Sequence, residues 1–145
     1  MKKQLAFLLF LLCICGLSGC GSTTAPETNK PDVTIDYGTS DLYTQADMDA
    51  AIQLIEDEFR TWDGCKLHSI TYGADDACTD ENLAWLNEMR SDDSEPFTQC
   101  ILFLSDFHSP VNGGDAWEAD TEYTDWQWWL ARTDGGNWNL MTWGY

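Results

Sequence analysis

Asp106 and His108 form the only plausible acid–base pair in this sequence. They close residues 100–107, CILFLSDF, and the residue after, an apolar run of strand length. Sitting at the end of that strand, they would offer an acid or base if a dry pocket and a positioned partner surrounded them. The competing role is structural, with Asp106 stabilising the loop that follows and His108 lying in it. Other catalytic chemistry is poorly supplied. No Gly-x-Ser-x-Gly elbow and no glycine-rich phosphate loop occurs, no cofactor motif is found, and a Cys/His enzyme would need a cysteine that a disulfide claims. A calcium site using Asp106, Asp115, Glu118 and Asp120 lacks the spacing of an EF-hand, so no metal is expected.

Tryptophan offers a second kind of chemistry. Trp117, Trp126, Trp128, Trp129, Trp138 and Trp143 crowd the last third of the chain, where exposed rings could stack on sugars and buried ones would build a core. Residues 124–145, TDWQWWLARTDGGNWNLMTWGY, read as a β-hairpin, because Asp134-Gly135-Gly136 supplies the positive-φ positions of a tight turn. Strand alternation puts Trp126, Trp128 and Leu130 on one face and Trp129 and Ala131 on the other. It likewise opposes Trp138 and Leu140 to Met141, Trp143 and Tyr145. With bulk on both faces, the hairpin is expected inside the sheet, with Trp126, Trp128, Trp138 and Trp143 in the core. Trp117, alone in a polar loop, and Trp129 remain as the candidate binding residues.

The N-terminus carries an address. Lys2 and Lys3 precede an apolar run, and Leu17-Ser18-Gly19 sets small residues before Cys20, the pattern of an export signal over residues 1–19. The run is shorter than the roughly 20 residues of a spanning helix. Leu17-Ser18-Gly19-Cys20 resembles the lipobox of bacterial lipoproteins at all four positions. That resemblance implies export, cleavage before Cys20, lipidation of its thiol, and a place on the extracytoplasmic face of the cell membrane. Residues 21–31, GSTTAPETNKP, then form a flexible tether that spans about 18 Å as a random coil.

Processing also sharpens the charge. Losing Lys2 and Lys3 takes the 7 basic residues to 5 against 25 acidic ones, a formal charge of −20. So acidic a chain repels phosphate backbones, which excludes nucleic acid as a partner. Cys65, Cys78 and Cys100 remain after processing, an odd number with no zinc-ligand spacing. One disulfide and one free thiol is the simplest outcome.

The elements that position these groups follow from periodicity. Thr44 and Asp47 make a near capping box before a stripe of Met48, Ala51, Ile52, Ile55, Phe59 and Trp62, which predicts a helix ended by Asp63-Gly64. Residues 66–72 and 100–107 read as strands, the latter covered on both faces, and a short helix capped at Thr79 or Asp80 runs to about Arg90. Val33, Ile35 and Tyr37 alternate as a short edge strand. Residues 108–123 form a loop long enough to be functional or partly disordered. The order predicts one α+β domain over residues 32–145, a long first helix lying on a curved antiparallel sheet of about four strands. If residues 66–72 and 100–107 are antiparallel neighbours, Cys78 and Cys100 meet and Cys65 lies at the far end; Cys65 with Cys78 ranks lower, and parallel pairing would favour Cys65 with Cys100.

Gly64-Cys65, Leu104-Ser105-Asp106-Phe107, Gly113-Gly114-Asp115, Tyr123-Thr124-Asp125-Trp126 and the closing Trp143-Gly144-Tyr145 resemble a group of small lipoprotein domains of Gram-positive anaerobes whose function is not established. A helix followed by a sheet with an Asp-Gly-Gly hairpin is also similar to the cystatin-like cone of nuclear-transport-factor-like and ketosteroid-isomerase-like proteins. The second resemblance implies a pocket enzyme using Asp106 and His108. The anchor and the thin catalytic constellation favour a lipid-anchored surface module that binds a cell-wall glycan or a surface protein.

Overall fold

The computed structural model describes residues 32–91, 94–114 and 116–145. The expected export signal, Cys20 and the expected tether, together with Asp115, lie outside the described residues. Among the described residues five strands and two α-helices occur in the order β1 (Thr34–Asp36), α1 (Gln45–Phe59), β2 (Lys66–Tyr72), α2 (Asp80–Glu88), β3 (Gln99–His108), β4 (Glu122–Arg132) and β5 (Asn139–Gly144), with a short 3-10 turn at Asp75–Ala77 before α2. The protein is therefore α+β, and its sheet runs β1-β2-β3-β4-β5 in space.

The sheet has five strands and is mixed, where about four antiparallel strands are expected from sequence. β1 pairs in parallel with β2, while β2, β3, β4 and β5 pair antiparallel in turn. Parallel neighbours need a crossover, and α1 lies between β1 and β2 in the chain, so the short N-terminal strand enters in that sense.

α1 begins as its capping box dictates. Thr44 Oγ1 accepts the Asp47 N–H at 3.2 Å, and Asp47 Oδ2 accepts the Thr44 N–H at 3.0 Å. Met48, Ala51, Ile52, Ile55 and Phe59 are its buried stripe. The helix ends at Phe59, not at Trp62. Beyond it the N–H groups of Thr61, Trp62 and Cys65 bond Glu58, Phe59 and Trp62 carbonyls in a turn closed by Gly64 at φ +76°. A Cβ at Gly64 would come within 2.9 Å of Pro110 Cγ, so the glycine serves both the turn and the approach of the loop after β3. Leaving the helix frees the Trp62 ring to stack on Trp128 at 5.1 Å and to meet Phe107 edge-on at 5.5 Å.

One sheet face carries the main core, where α1 meets Ile70, Ile101, Phe103, Phe107, Trp128 and Leu130. Trp128 is fully buried, and its indole N–H donates to Ser105 Oγ at 2.8 Å. At about 25 cal/mol per Å², burying roughly 200 Å² of indole contributes about 5 kcal/mol. Among the described residues the opposite face is covered only at one end, where Leu86 of α2 meets Cys100 and Ala131. β3 is thus covered on both faces only at its start. Leu102, Leu104, Asp106 and His108 are half-buried, because α2 is too short to reach them.

The hairpin departs from its expected place. β4 is interior and β5 is the sheet edge. A bulge breaks simple alternation, since Trp129 pairs with Thr142 and Leu130 with Leu140, leaving Met141 as the extra residue. Leu140 and Trp143 consequently share the α1 face, while Met141 joins the cluster under α2. Strand parity alone sets Trp143 opposite Leu140; one inserted residue reverses it.

Candidate functional site

Four tryptophans from four separate segments line one cleft of about 530 Å³: Trp62, Trp117, Trp126 and Trp143. Trp62 comes from the turn after α1, Trp117 from the β3–β4 loop, Trp126 from β4 and Trp143 from β5. Trp62 is their common neighbour, with ring centroids 4.8 Å from Trp117, 6.1 Å from Trp126 and 6.3 Å from Trp143. Gly114 and Ala116 keep one wall low, and Thr61 and Asp63 add a hydroxyl and a carboxylate. No basic residue lines the cleft among the described residues.

The loop that delivers Trp117 is held by its own hydrogen bonds. Ser109, 2% exposed, donates through its hydroxyl to the Glu118 carbonyl at 2.6 Å and accepts the Thr121 N–H at 2.9 Å. The Glu118 N–H donates to Tyr123 Oη at 3.0 Å, and the Gly113 N–H to the Pro110 carbonyl at 2.8 Å. Gly113 adopts φ +67°, and a Cβ there would meet the Trp117 carbonyl oxygen at 2.9 Å. Trp117 itself packs edge-on against Phe107 and Tyr123. Such anchoring fixes the orientation of the ring. The Trp126 indole N–H is buried without a hydrogen-bond partner among the described residues.

This cleft redraws the expected binding set. Trp117 is half-buried as a wall of the cleft, not free in a polar loop. Trp129 lies on the other sheet face, donating to Gln127 Oε1 at 3.0 Å and meeting Trp85 edge-on at 5.7 Å. The two candidates therefore do not share a site. Trp143, expected in the core, is 40% exposed, whereas Trp128 and Trp138 are core residues as expected. A second cavity, of about 630 Å³, shares Trp62 and Asp63 and is walled by Val33, Phe59 and Leu67. Asp32, where the described chain begins, lies on its rim.

Asp106 and His108 line neither cavity. Asp106 accepts the Ser69 hydroxyl at 3.2 Å and the Asp125 N–H at 3.1 Å. Asp125 has φ +56° and falls where the β3–β4 register shifts, so Asp106 holds an irregular stretch of β4 in place. His108 Nε2 lies 3.0 Å from Asp120 Oδ1 and its Nδ1 2.9 Å from Glu122 Oε2. The other Glu122 oxygen lies 2.9 Å from His68 Nδ1, so one carboxylate bridges two imidazoles whose rings are 6.5 Å apart. Hydrogen bonds to Asp120 and then Glu122 hold the His108 pKa above its ordinary value. Among the described residues no group of three or more His, Cys, Asp or Glu side chains is arranged to hold a metal ion.

Among the described residues Cys65, Cys78 and Cys100 are free thiols, so the expected Cys78–Cys100 bond is not formed. Antiparallel pairing of β2 and β3 brings Cys78 and Cys100 together, with Sγ atoms 3.5 Å apart, and leaves Cys65 at the other end of β2. Tyr43 donates to the Cys100 carbonyl at 2.7 Å and reaches Cys78 Sγ at 3.3 Å. Burial pushes the Cys100 thiol up to about 12.

Comparison with protein-family models, with curated proteins and with solved structures finds no match to this chain. Among the described residues no helix is long and apolar enough to cross a membrane. Sequence reasoning missed Trp62 as a site residue, because its helical spacing from Phe59 and Ile55 placed it in the stripe. Asp63-Gly64 was the available sign that the chain turns there.

Proposed function

We propose that this protein is a lipid-anchored binding module of the extracytoplasmic cell surface, with the tryptophan cleft as its recognition site for a cell-wall glycan. The observation that carries the reading is the convergence of Trp62, Trp117, Trp126 and Trp143 on one open cleft. Indole faces attract the weakly positive C–H face of a pyranose ring, and Thr61 and Asp63 supply hydrogen-bond partners for hydroxyl groups. A rigid loop under Trp117 lowers the ordering cost of binding. The lipobox-like Cys20 and the tether support the location, since two acyl chains anchor a protein stably and residues 21–31 lift the domain clear of the headgroups.

An exported protein meets oxidants, and in this reading Cys78 and Cys100 close to a disulfide while Cys65 stays reduced. The proton-transfer alternative at Asp106 and His108 gains no support from side chains already committed to Ser69, Asp120, Glu122 and the β4 backbone.

Titration with soluble cell-wall glycan fragments, followed by tryptophan fluorescence and calorimetry, tests the function. Binding that quenches or shifts the emission, and that Trp143→Ala weakens at least tenfold, is expected. Unchanged emission and no heat across all fragments would overturn it.

A further inference from the structure

We infer that the cleft selects glycans bearing free amino groups over their N-acetylated counterparts; this rests on the glycan-binding reading and adds the charge of the ligand to it. Three features of the cleft favour a cation. Its described lining carries one charged side chain, the Asp63 carboxylate, and no lysine or arginine. Thr61, Trp62 and Asp63 follow the C-cap of α1, near the negative pole of the helix, and the basic residue at that pole is the C-cap Arg60 itself. Arg60, the nearest cation in sequence, is held by Asp57 and Glu56.

The third feature is the indoles themselves. A sugar ring stacked on the exposed Trp143 places a ring substituent beside the neighbouring indoles, and the quadrupole of an indole attracts an ammonium far more strongly than a neutral acetamide. With 25 acidic residues against 7 basic ones, the surrounding field also draws cations toward the site. A protonated glucosamine unit meets all of these conditions, with its C–H face for stacking and its ammonium for Asp63 and the π faces. N-acetylation removes the charge and keeps the ring.

The test uses the full chain in a non-ionic detergent at pH 6, where the sugar amines are protonated. Calorimetry compares a β-1,4 glucosamine hexamer, the N-acetylglucosamine hexamer and tetralysine, against the unmodified protein, Asp63→Asn and Trp143→Ala, with circular dichroism confirming that both variants fold. The expected result is at least tenfold tighter binding of the glucosamine hexamer than of the acetylated one, a preference that Asp63→Asn narrows and binding that Trp143→Ala weakens. Equal affinities, or a preference for the acetylated hexamer, overturn the selectivity and leave glycan binding standing. No binding of either hexamer removes both readings. Tetralysine binding as tightly as the glucosamine hexamer, or Trp143→Ala binding it unchanged, would assign the attraction to general surface charge and overturn the inference.

Discussion

Exposing the reduced protein to glutathione disulfide should join Cys78 to Cys100 and leave Cys65 as a thiol. The half-buried Cys78 is the accessible partner, since Cys100 is fully buried and its thiol is pushed up to about 12. Exchange at Cys78 releases one glutathione thiol, and attack by Cys100 releases the second as the protein disulfide forms. The Sγ atoms, 3.5 Å apart, need to close by about 1.5 Å, a distance side-chain rotation can supply. The link closes a loop between positions 22 apart, for which chain entropy lost by the unfolded state is worth about 3 kcal/mol. For a folded region of this size that corresponds to a rise in Tm of about 10–15 °C. Non-reducing peptide mapping identifies the link, and thermal melts of oxidised and reduced protein give its effect. A link that includes Cys65, or a rise of less than about 3 °C, would refute the argument from antiparallel strand pairing.

Ser105→Ala strands the buried Trp128 N–H and should cost about 1–3 kcal/mol, read from the urea midpoint; an unchanged midpoint would show that the 2.8 Å bond contributes nothing. His108, its pKa raised by Asp120 and Glu122, contributes stability that is fully present below its unfolded value near 6.5 and is lost as pH rises through the higher folded value. An NMR titration should therefore place its midpoint above 6.5, and Glu122→Gln should lower it; a midpoint at or below 6.5 would mean the bridge to Glu122 and Asp120 does not form in solution.

Local chemistry made much of the fold legible. Thr44 and Asp47 announce the start of α1, Thr79 caps α2, and the runs at Lys66–Tyr72 and Gln99–His108 have strand length and strand content. From the expected antiparallel pairing, the neighbouring positions of Cys78 and Cys100 followed without knowledge of any side chain. The candidate site was less accessible. Trp117 was found because it stands alone among polar residues, but Trp62 was hidden in a helical stripe and Trp143 in a strand alternation.

What the sequence by itself determined is the α+β class, the two helices and the principal strands, because each depends on residues within a few positions of one another. Only the tertiary structure decided which tryptophans line the cleft and which fill the core. An early helix end swings Trp62 out of the stripe, a bulge at Met141 brings Trp143 to the α1 face, and hydrogen bonds around Ser109 set Trp117 beside them. These are breaks in periodicity, and their energies come from partners distant in the chain. A rule based on spacing sees the regular element and passes over the one residue that leaves it.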